Sequence, residues 1–137
     1  MIYVDFDQQV NIEALKEVLK YKPFLLDLQT KLQTEWELSI IEQEKLSQLI
    51  ELMYEAELVY SFDYTEWVKE GGYIYFDDPT KVHDIDFETV RKLITSIILR
   101  NHFFEGFILS NIANGMMVRL FERLNDFIKE EEVEREK

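Results

Sequence analysis

The chain has 137 residues, which is the length of one domain rather than two. Apolar residues make up 47% of it and only four glycines and two prolines occur, so the composition excludes a disordered or linker-rich chain. The 28 acidic residues against 15 basic ones leave a formal charge of −13, which disfavours direct nucleic-acid binding because phosphates repel such a surface. We therefore treat residues 1–137 as a single acidic domain.

Cysteine is absent, which excludes disulfides, thiolate nucleophiles and cysteine-based zinc sites. The first residues carry no basic stretch followed by an apolar one, and no apolar run approaches the roughly 18 residues of a membrane helix. We expect a cytoplasmic protein with no membrane association. The net charge lies entirely in residues 1–88, which hold 20 acidic and 7 basic residues, since residues 89–137 hold 8 of each.

The chain opens with a short alternating pattern in which Ile2, Val4 and Phe6 are apolar. Alternation of this kind predicts a strand. Asn11 is a suitable N-cap for a short helix with apolar residues at three- and four-residue steps. Pro23 then either ends this helix or opens the next one.

Two further amphipathic patterns follow. Apolar residues recur at helical spacing over residues 24–38 and again over about 40–60, so each segment is predicted to be a helix. On the second of these, Glu44, Glu51 and Glu55 fall within about 40° of one another at 100° per residue. They lie opposite the apolar side, which predicts an exposed acidic stripe.

The middle of the chain is rich in aromatic residues. Asp63 can cap a short helix containing Trp67, and the glycine pair at 71–72 is predicted to end that helix. The aromatic segment 73–76 has high strand propensity and could pair with residues 2–6. The sequence therefore allows a minor two-stranded ribbon beside the helices.

The C-terminal third carries the clearest helical patterns. Asp86 can cap one amphipathic helix, a more uniformly apolar helix is predicted over 103–113, and a last helix has its apolar residues between 117 and 128. Residues 130–137 contain one apolar residue in eight and are predicted to fray. We predict an all-α single-domain bundle of five to seven helices, whose core includes Val90, Ile94, Ile97, Phe107, Leu120 and Leu124.

Two features of the sequence favour binding to a protein. Residues 35–66 contain nine carboxylates and one lysine, and residues 54–76 contain eight aromatic side chains interleaved with acids. A solvated face and a buried aromatic core account for much of each, but an exposed subset would offer charges and anchors to a basic partner. The candidate partner-binding residues are Glu44, Glu51, Glu55, Asp63, Tyr64, Glu66 and Trp67.

Sites for chemistry are weakly supported. Arg100, His102 and Glu105 could form a polar cluster at a helix junction, but His102 and Glu105 lack a third metal ligand. The acidic segment 77–88 lacks the glycine and glutamate that a calcium loop requires. We expect no catalytic residues, no metal and no cofactor, and therefore not an enzyme.

The string Arg91-Lys92-Leu93-Ile94-Thr95, followed by Arg100, Phe103, Glu105-Gly106, Asn114-Gly115 and Arg123-Leu124, resembles a small bacterial family of unknown function. That resemblance implies no catalytic or binding residue. In size, charge and lack of catalytic motifs the chain also resembles small acidic phage-encoded inhibitors such as anti-CRISPR proteins. We therefore expect a binding module that occupies the basic nucleic-acid-binding surface of a partner such as a CRISPR effector. The alternative is a bacterial helical domain that binds a small ligand or forms a homodimer through its C-terminal helices.

Overall fold

The computed structural model describes residues 11–104 and 106–136. Within those ranges the regular structure is entirely helical. In chain order it comprises α1 (Ile12–Leu19), α2 (Lys22–Lys31), α3 (Ile40–Glu55), α4 (Tyr64–Trp67), a π-helical turn (Val68–Gly72), α5 (Tyr73–Asp77), a 3-10 helix (Pro79–Asp84), α6 (Phe87–Arg100), α7 (Phe107–Ala113) and α8 (Met116–Glu136). Because the π-helical turn joins α4 and α5 into one kinked segment, the α-helices form seven segments. The predicted all-α fold is confirmed.

The three predicted helix caps are confirmed. The side chain of Asn11 accepts a hydrogen bond from the backbone N–H of the third residue after it, at 3.1 Å. Asp63 does the same at 3.1 Å and Asp86 at 2.8 Å. These side chains satisfy N–H groups that a helix leaves without a partner in its first turn. Pro23 lies at the start of α2, so it opens the second helix.

The predicted strand at 73–76 is wrong, because these residues lie in α5. Residues 2–6, its expected partner, lie outside the described part of the chain. The predicted break at the glycine pair is present, since Gly71 has a non-helical backbone with φ 169° and the helical path kinks there before α5 begins. A side chain at Gly72 would come within 2.6 Å of the Trp67 ring, so glycine here allows the ring to pack on the backbone while the chain turns on into α5. Phe76 then packs on Phe107 with 5.9 Å between ring centroids, and this tertiary contact overrides local strand propensity.

Several helices are shorter than their apolar patterns indicate. The second helix ends at Lys31 rather than near residue 38, and α3 ends at Glu55 rather than near residue 60. Glu57 has a left-handed backbone with φ 59°, which the right-handed helix cannot continue through. The left-handed Gly106, with φ 85°, likewise places the start of α7 at Phe107 rather than residue 103.

The long helix α8 is the centre of the packing, since α1, α2, α6, α7 and the 3-10 helix all contact it. Five of the six predicted core residues, Val90, Ile94, Ile97, Leu120 and Leu124, are completely buried, and Phe107 is partly buried. Helix α8 continues through Glu136, and the fraying of the segment after residue 129 stays a prediction. In the part of the chain that the structure describes, no helix combines the length and apolar character needed to cross a membrane.

Candidate interaction surface and pocket

The predicted acidic stripe lies on the outer side of α3. Glu44, Glu51 and Glu55 are all exposed, and we call these three residues the acidic face. At 100° per residue, Ile40 and Tyr54 lie within about 100° of the middle of this face, and they are 73% and 45% exposed. The outer side of α3 therefore presents carboxylates together with large apolar side chains.

A capping box fixes the N-terminal end of α3. Ser39 Oγ accepts from the backbone N–H of Glu42 at 3.1 Å, and Glu42 Oε1 accepts from the N–H of Ser39 at 2.8 Å. Lys31 Nζ lies 2.6 Å from the same Glu42 oxygen, which ties α2 to the start of α3. The hydrogen bond from Lys31 lowers the pKa of Glu42 below its usual value. Glu42 thus has a structural role, because it caps α3 and pairs with Lys31.

The other acidic residues of the predicted surface are not paired in this way. Of the nine carboxylates between residues 35 and 66, only Glu42 lies within ion-pair distance of a cation in the described ranges. Near α4, a hydrogen bond with Glu70 raises the pKa of Glu66, and the charges of Glu70 and Asp63 add to this rise. Like charges are thus gathered near α4, where Glu66 lies close to Glu70 and Asp63.

The predicted aromatic anchors have packing partners within the chain. Trp67 is half-buried: its ring lies 6.2 Å from that of Phe62 and covers Gly72, and Lys92 Nζ is 5.9 Å from its centroid. Tyr64 is also half-buried and lines the pocket described below. The seven predicted partner-binding residues therefore lie on two elements, with the three of the acidic face on α3 and four in and just before α4.

Sequence reasoning missed a polar clasp between α6 and the segment after α3. Thr95 is completely buried, and its Oγ1 donates to the carbonyl of Leu58 at 3.0 Å and accepts from the N–H of Tyr60 at 3.2 Å. Arg91, one turn earlier on α6, donates from Nε to the carbonyl of Glu57 at 2.9 Å. The four-residue spacing of Arg91 and Thr95 was the available signal, because it places both on one side of the helix.

Tyr60 completes this clasp. Its hydroxyl donates to Glu88 at 2.6 Å, and the Arg91 guanidinium lies 4.0 Å from the centre of its ring. Burial raises the pKa of Tyr60, and the hydrogen bond to Glu88 raises it further, so the hydroxyl stays protonated. These contacts hold the segment after α3 against α6 and have a structural role.

A pocket of about 390 Å³ opens between the kinked α4 segment and the end of α6. It is lined by Tyr64, Thr65, Val68, Lys69, Arg100 and Phe104, and we call it the Arg100 pocket. The Arg100 guanidinium lies 5.2 Å from the ring centre of Phe104 and 5.3 Å from that of Phe107. Two aromatic rings therefore lie within cation–π distance of this guanidinium.

The predicted polar cluster is only partly placed. Arg100 is half-buried at the end of α6, and His102 is exposed in the turn that follows. Glu105 lies outside the described residues. The structure shows Arg100 near the rings of Phe104 and Phe107, and the polar cluster of Arg100, His102 and Glu105 stays a prediction.

The acidic segment 77–88 serves local structure. Asp78 accepts from the N–H and hydroxyl of Thr80, at 3.1 and 2.6 Å, and these hydrogen bonds lower its pKa. Asp86 caps α6, and Glu88 belongs to the clasp. Nowhere in the described ranges do three or more histidine or carboxylate side chains gather as metal ligands would. The absence of a metal site stays a prediction.

Comparison with known proteins identifies the family. The profile of a family of unknown function (DUF6508) matches residues 29–130, and the chain belongs to that family. This match confirms an uncharacterised family and extends well beyond the C-terminal third in which the sequence resemblance lies. No curated protein and no solved structure matches the chain.

Proposed function

We propose that this family member is a protein-binding module rather than an enzyme, and that the outer side of α3 docks onto a basic surface of its partner. The observation that carries the proposal is the acidic face itself. Glu44, Glu51 and Glu55 are exposed on one side of a helix, and none lies within ion-pair distance of a cation in the described residues. A partner with lysines or arginines would supply the missing cations.

The apolar neighbours of the acidic face support docking rather than simple solvation. A solvated helix face gains nothing from exposing large apolar side chains, yet Ile40 and Tyr54 are 73% and 45% exposed there. Interfaces of moderate affinity combine a few buried apolar or aromatic anchors with surrounding charges. The outer side of α3 offers this combination.

We further propose that the partner is a nucleic-acid-binding protein, and that the carboxylates lie where phosphates would. The acidic face runs from Glu44 to Glu55, and the 11 steps between them span about 17 Å at roughly 1.5 Å per residue, so it can follow a basic groove. A cytoplasmic inhibitor encoded by a phage or mobile element and acting on a CRISPR effector is the sharpest form of this proposal. Chain length, net charge and the acidic face support it.

The test compares two triple charge reversals on full-length protein. E44K/E51K/E55K reverses the acidic face, and D27K/D77K/E130K is a control that reverses three other exposed carboxylates with the same change in net charge. Each immobilised variant is incubated with host lysate, and retained proteins are identified by mass spectrometry. We expect wild type and control to retain one basic nucleic-acid-binding protein that the first variant loses.

Salt and nucleic acid then probe the mechanism. Retention should fall steeply between about 50 and 200 mM salt, because exposed charges are screened over about 8–10 Å at physiological ionic strength. Double-stranded DNA added as competitor should displace the captured protein. Equal retention by the two triple variants, or retention insensitive to salt, would contradict the proposal. A homodimer unaffected by E44K/E51K/E55K would instead favour self-association through the C-terminal helices.

A further inference from the structure

The Arg100 pocket lies apart from the acidic face and has the opposite character. Its walls include the apolar or aromatic side chains of Tyr64, Val68 and Phe104. Its volume of about 390 Å³ is at the lower end of the roughly 300–1,000 Å³ typical of small-molecule sites. A small organic molecule fits such a space, whereas a protein segment would need a longer groove.

The charged residues of this pocket are both cations. Lys69 and Arg100 line it, although the chain carries a net charge of −13. Within the described residues, neither side chain approaches a carboxylate within ion-pair distance, and the guanidinium of Arg100 donates no hydrogen bond to a protein atom. By contrast, Arg91 and Arg123 both donate to backbone carbonyls. Among the described residues, no carboxylate or carbonyl thus occupies the donors of Arg100 at the pocket.

The orientation of Arg100 is set by the rings around it. Its guanidinium lies between 5 and 6 Å from the centres of the Phe104 and Phe107 rings, which favours the cation and limits its motion. A planar guanidinium held in this way can still bind a carboxylate through two parallel hydrogen bonds. Phe104, which lines the pocket, is 56% exposed, so apolar surface next to this cation is left for a ligand to cover.

We propose that the Arg100 pocket binds a small amphipathic anion, namely a carboxylate carried by an aromatic or branched aliphatic body. Arg100 binds the carboxylate, Lys69 adds a second positive charge, and the apolar body packs against Val68, Tyr64 and Phe104. Charge complementarity selects the anion, and the apolar lining excludes small hydrophilic anions. This site goes beyond the proposed protein-binding function and does not depend on it.

The first test uses a pair of fluorescent probes that share one apolar body. 1-Anilinonaphthalene-8-sulfonate carries an anionic group, and N-phenyl-1-naphthylamine lacks it. On the full-length protein we expect saturable binding of the sulfonate with one site per chain. R100Q should weaken that binding by about tenfold or more, because a hydrogen bond to a charged group contributes that much, and should leave the neutral probe unaffected.

Further variants keep this test decisive. K69Q alters an exposed side chain and should also weaken only the anionic probe, whereas F104A should weaken both probes. K129Q is the control, because Lys129 lies far from the pocket. Its near neighbour in sequence, Phe127, packs on Phe87 at the start of α6. Arg100 is at the other end of that helix, about 20 Å away. A tenfold loss with R100Q or K69Q but not with K129Q supports the site. Unchanged binding in both R100Q and K69Q, or equal loss in K129Q, would overturn it.

Competition then tests the carboxylate. 4-Phenylbutyrate should displace the sulfonate probe from wild type, and 4-phenylbutanol, which has the same apolar body without the charge, should displace it much more weakly. Equal displacement by the two compounds would show that the pocket recognises only the apolar body, and the proposed class of ligand would be wrong.

Discussion

Helices α3 and α6 are of similar length, yet the fold uses them very differently. Eight of the 14 residues of α6 are buried, whereas two of the 16 residues of α3 are. Both sequences have an amphipathic pattern, so the pattern alone does not distinguish a central helix from a peripheral one. The difference shows that α6 contributes mainly to the core, while most of the surface of α3 is left to solvent or to a partner.

The distribution of charge follows the same division. Residues 89–137, which include most of α6 and all of α8, have equal numbers of acidic and basic residues, and residues 1–88 carry the whole net charge. A helix with few buried residues can accumulate carboxylates because each of them stays in water. The net acidic charge is therefore confined to one part of the chain, whereas the buried core draws on both parts.

The largest expected effect comes from the core of α6. Ile97 is completely buried, so I97A should lower the free energy of unfolding by about 2–5 kcal/mol through lost apolar contact and a residual cavity. The matched change on α3, I40A, removes a side chain that is 73% exposed and should cost no more than about 0.5 kcal/mol. Urea denaturation of both variants measures the contrast. Similar costs for the two would show that α3 and α6 do not differ as described.

The polar clasp should give the next largest effect. T95V keeps the shape of a completely buried side chain but removes its hydrogen bonds to Leu58 and Tyr60. We expect a loss of about 1–3 kcal/mol, because two backbone groups lose their partner. S96A is the control: Ser96 is equally buried, but its hydroxyl donates only to the carbonyl of Lys92 within the same helix. If S96A cost as much as T95V, the clasp would have no special role.

A smaller effect is expected at the start of α3. S39A removes the side-chain half of the capping box and should cost about 1 kcal/mol. S47A makes the same change at an exposed position within α3 and should be neutral or slightly stabilising, since alanine has the higher helix propensity. Thermal unfolding of the two variants provides the measurement. A neutral S39A would mean that the cap does not hold this peripheral helix in place.

The smallest expected effect concerns the acids near α4 and depends on pH. Because the pKa of Glu66 is raised, the folded protein holds this proton more strongly than the unfolded chain does. Ionised Glu66 therefore lowers the free energy of unfolding at pH values above its pKa in the folded protein, and this loss disappears as the pH falls through that pKa. E66Q should therefore be more stable than wild type at pH 7, with the difference shrinking toward pH 4. A difference that does not change over this range would contradict the repulsion from Glu70 and Asp63.

Local features of the fold were predictable, and features that depend on distant contacts were not. The caps at Asn11, Asp63 and Asp86 were predicted because each bonds to a residue only three positions away. The end of α3 was misplaced because Ala56 and Tyr60, beyond it, are buried and half-buried and continue the apolar pattern at helical spacing. A helix and a buried loop cannot be separated by hydrophobicity alone.

The candidate sites divide in the same way. The acidic face was predictable because helix geometry alone places Glu44, Glu51 and Glu55 on one side. Arg100 was singled out from the sequence, but its contacts with Phe104 and Phe107 were not predicted. Its pocket combines the end of α6 with Tyr64 and Val68, more than 30 positions earlier in the chain, and sequence spacing carries no information about that contact.

The most direct test of the central claim is the free energy of unfolding of E44K/E51K/E55K. The claim is that the outer side of α3 contributes nothing to the fold and is available to a partner. Urea denaturation should give a value equal to or above that of wild type, because the three residues are exposed and their reversal reduces the net negative charge. A loss as large as that expected for I97A would show that the fold itself depends on the acidic face, and would contradict the claim.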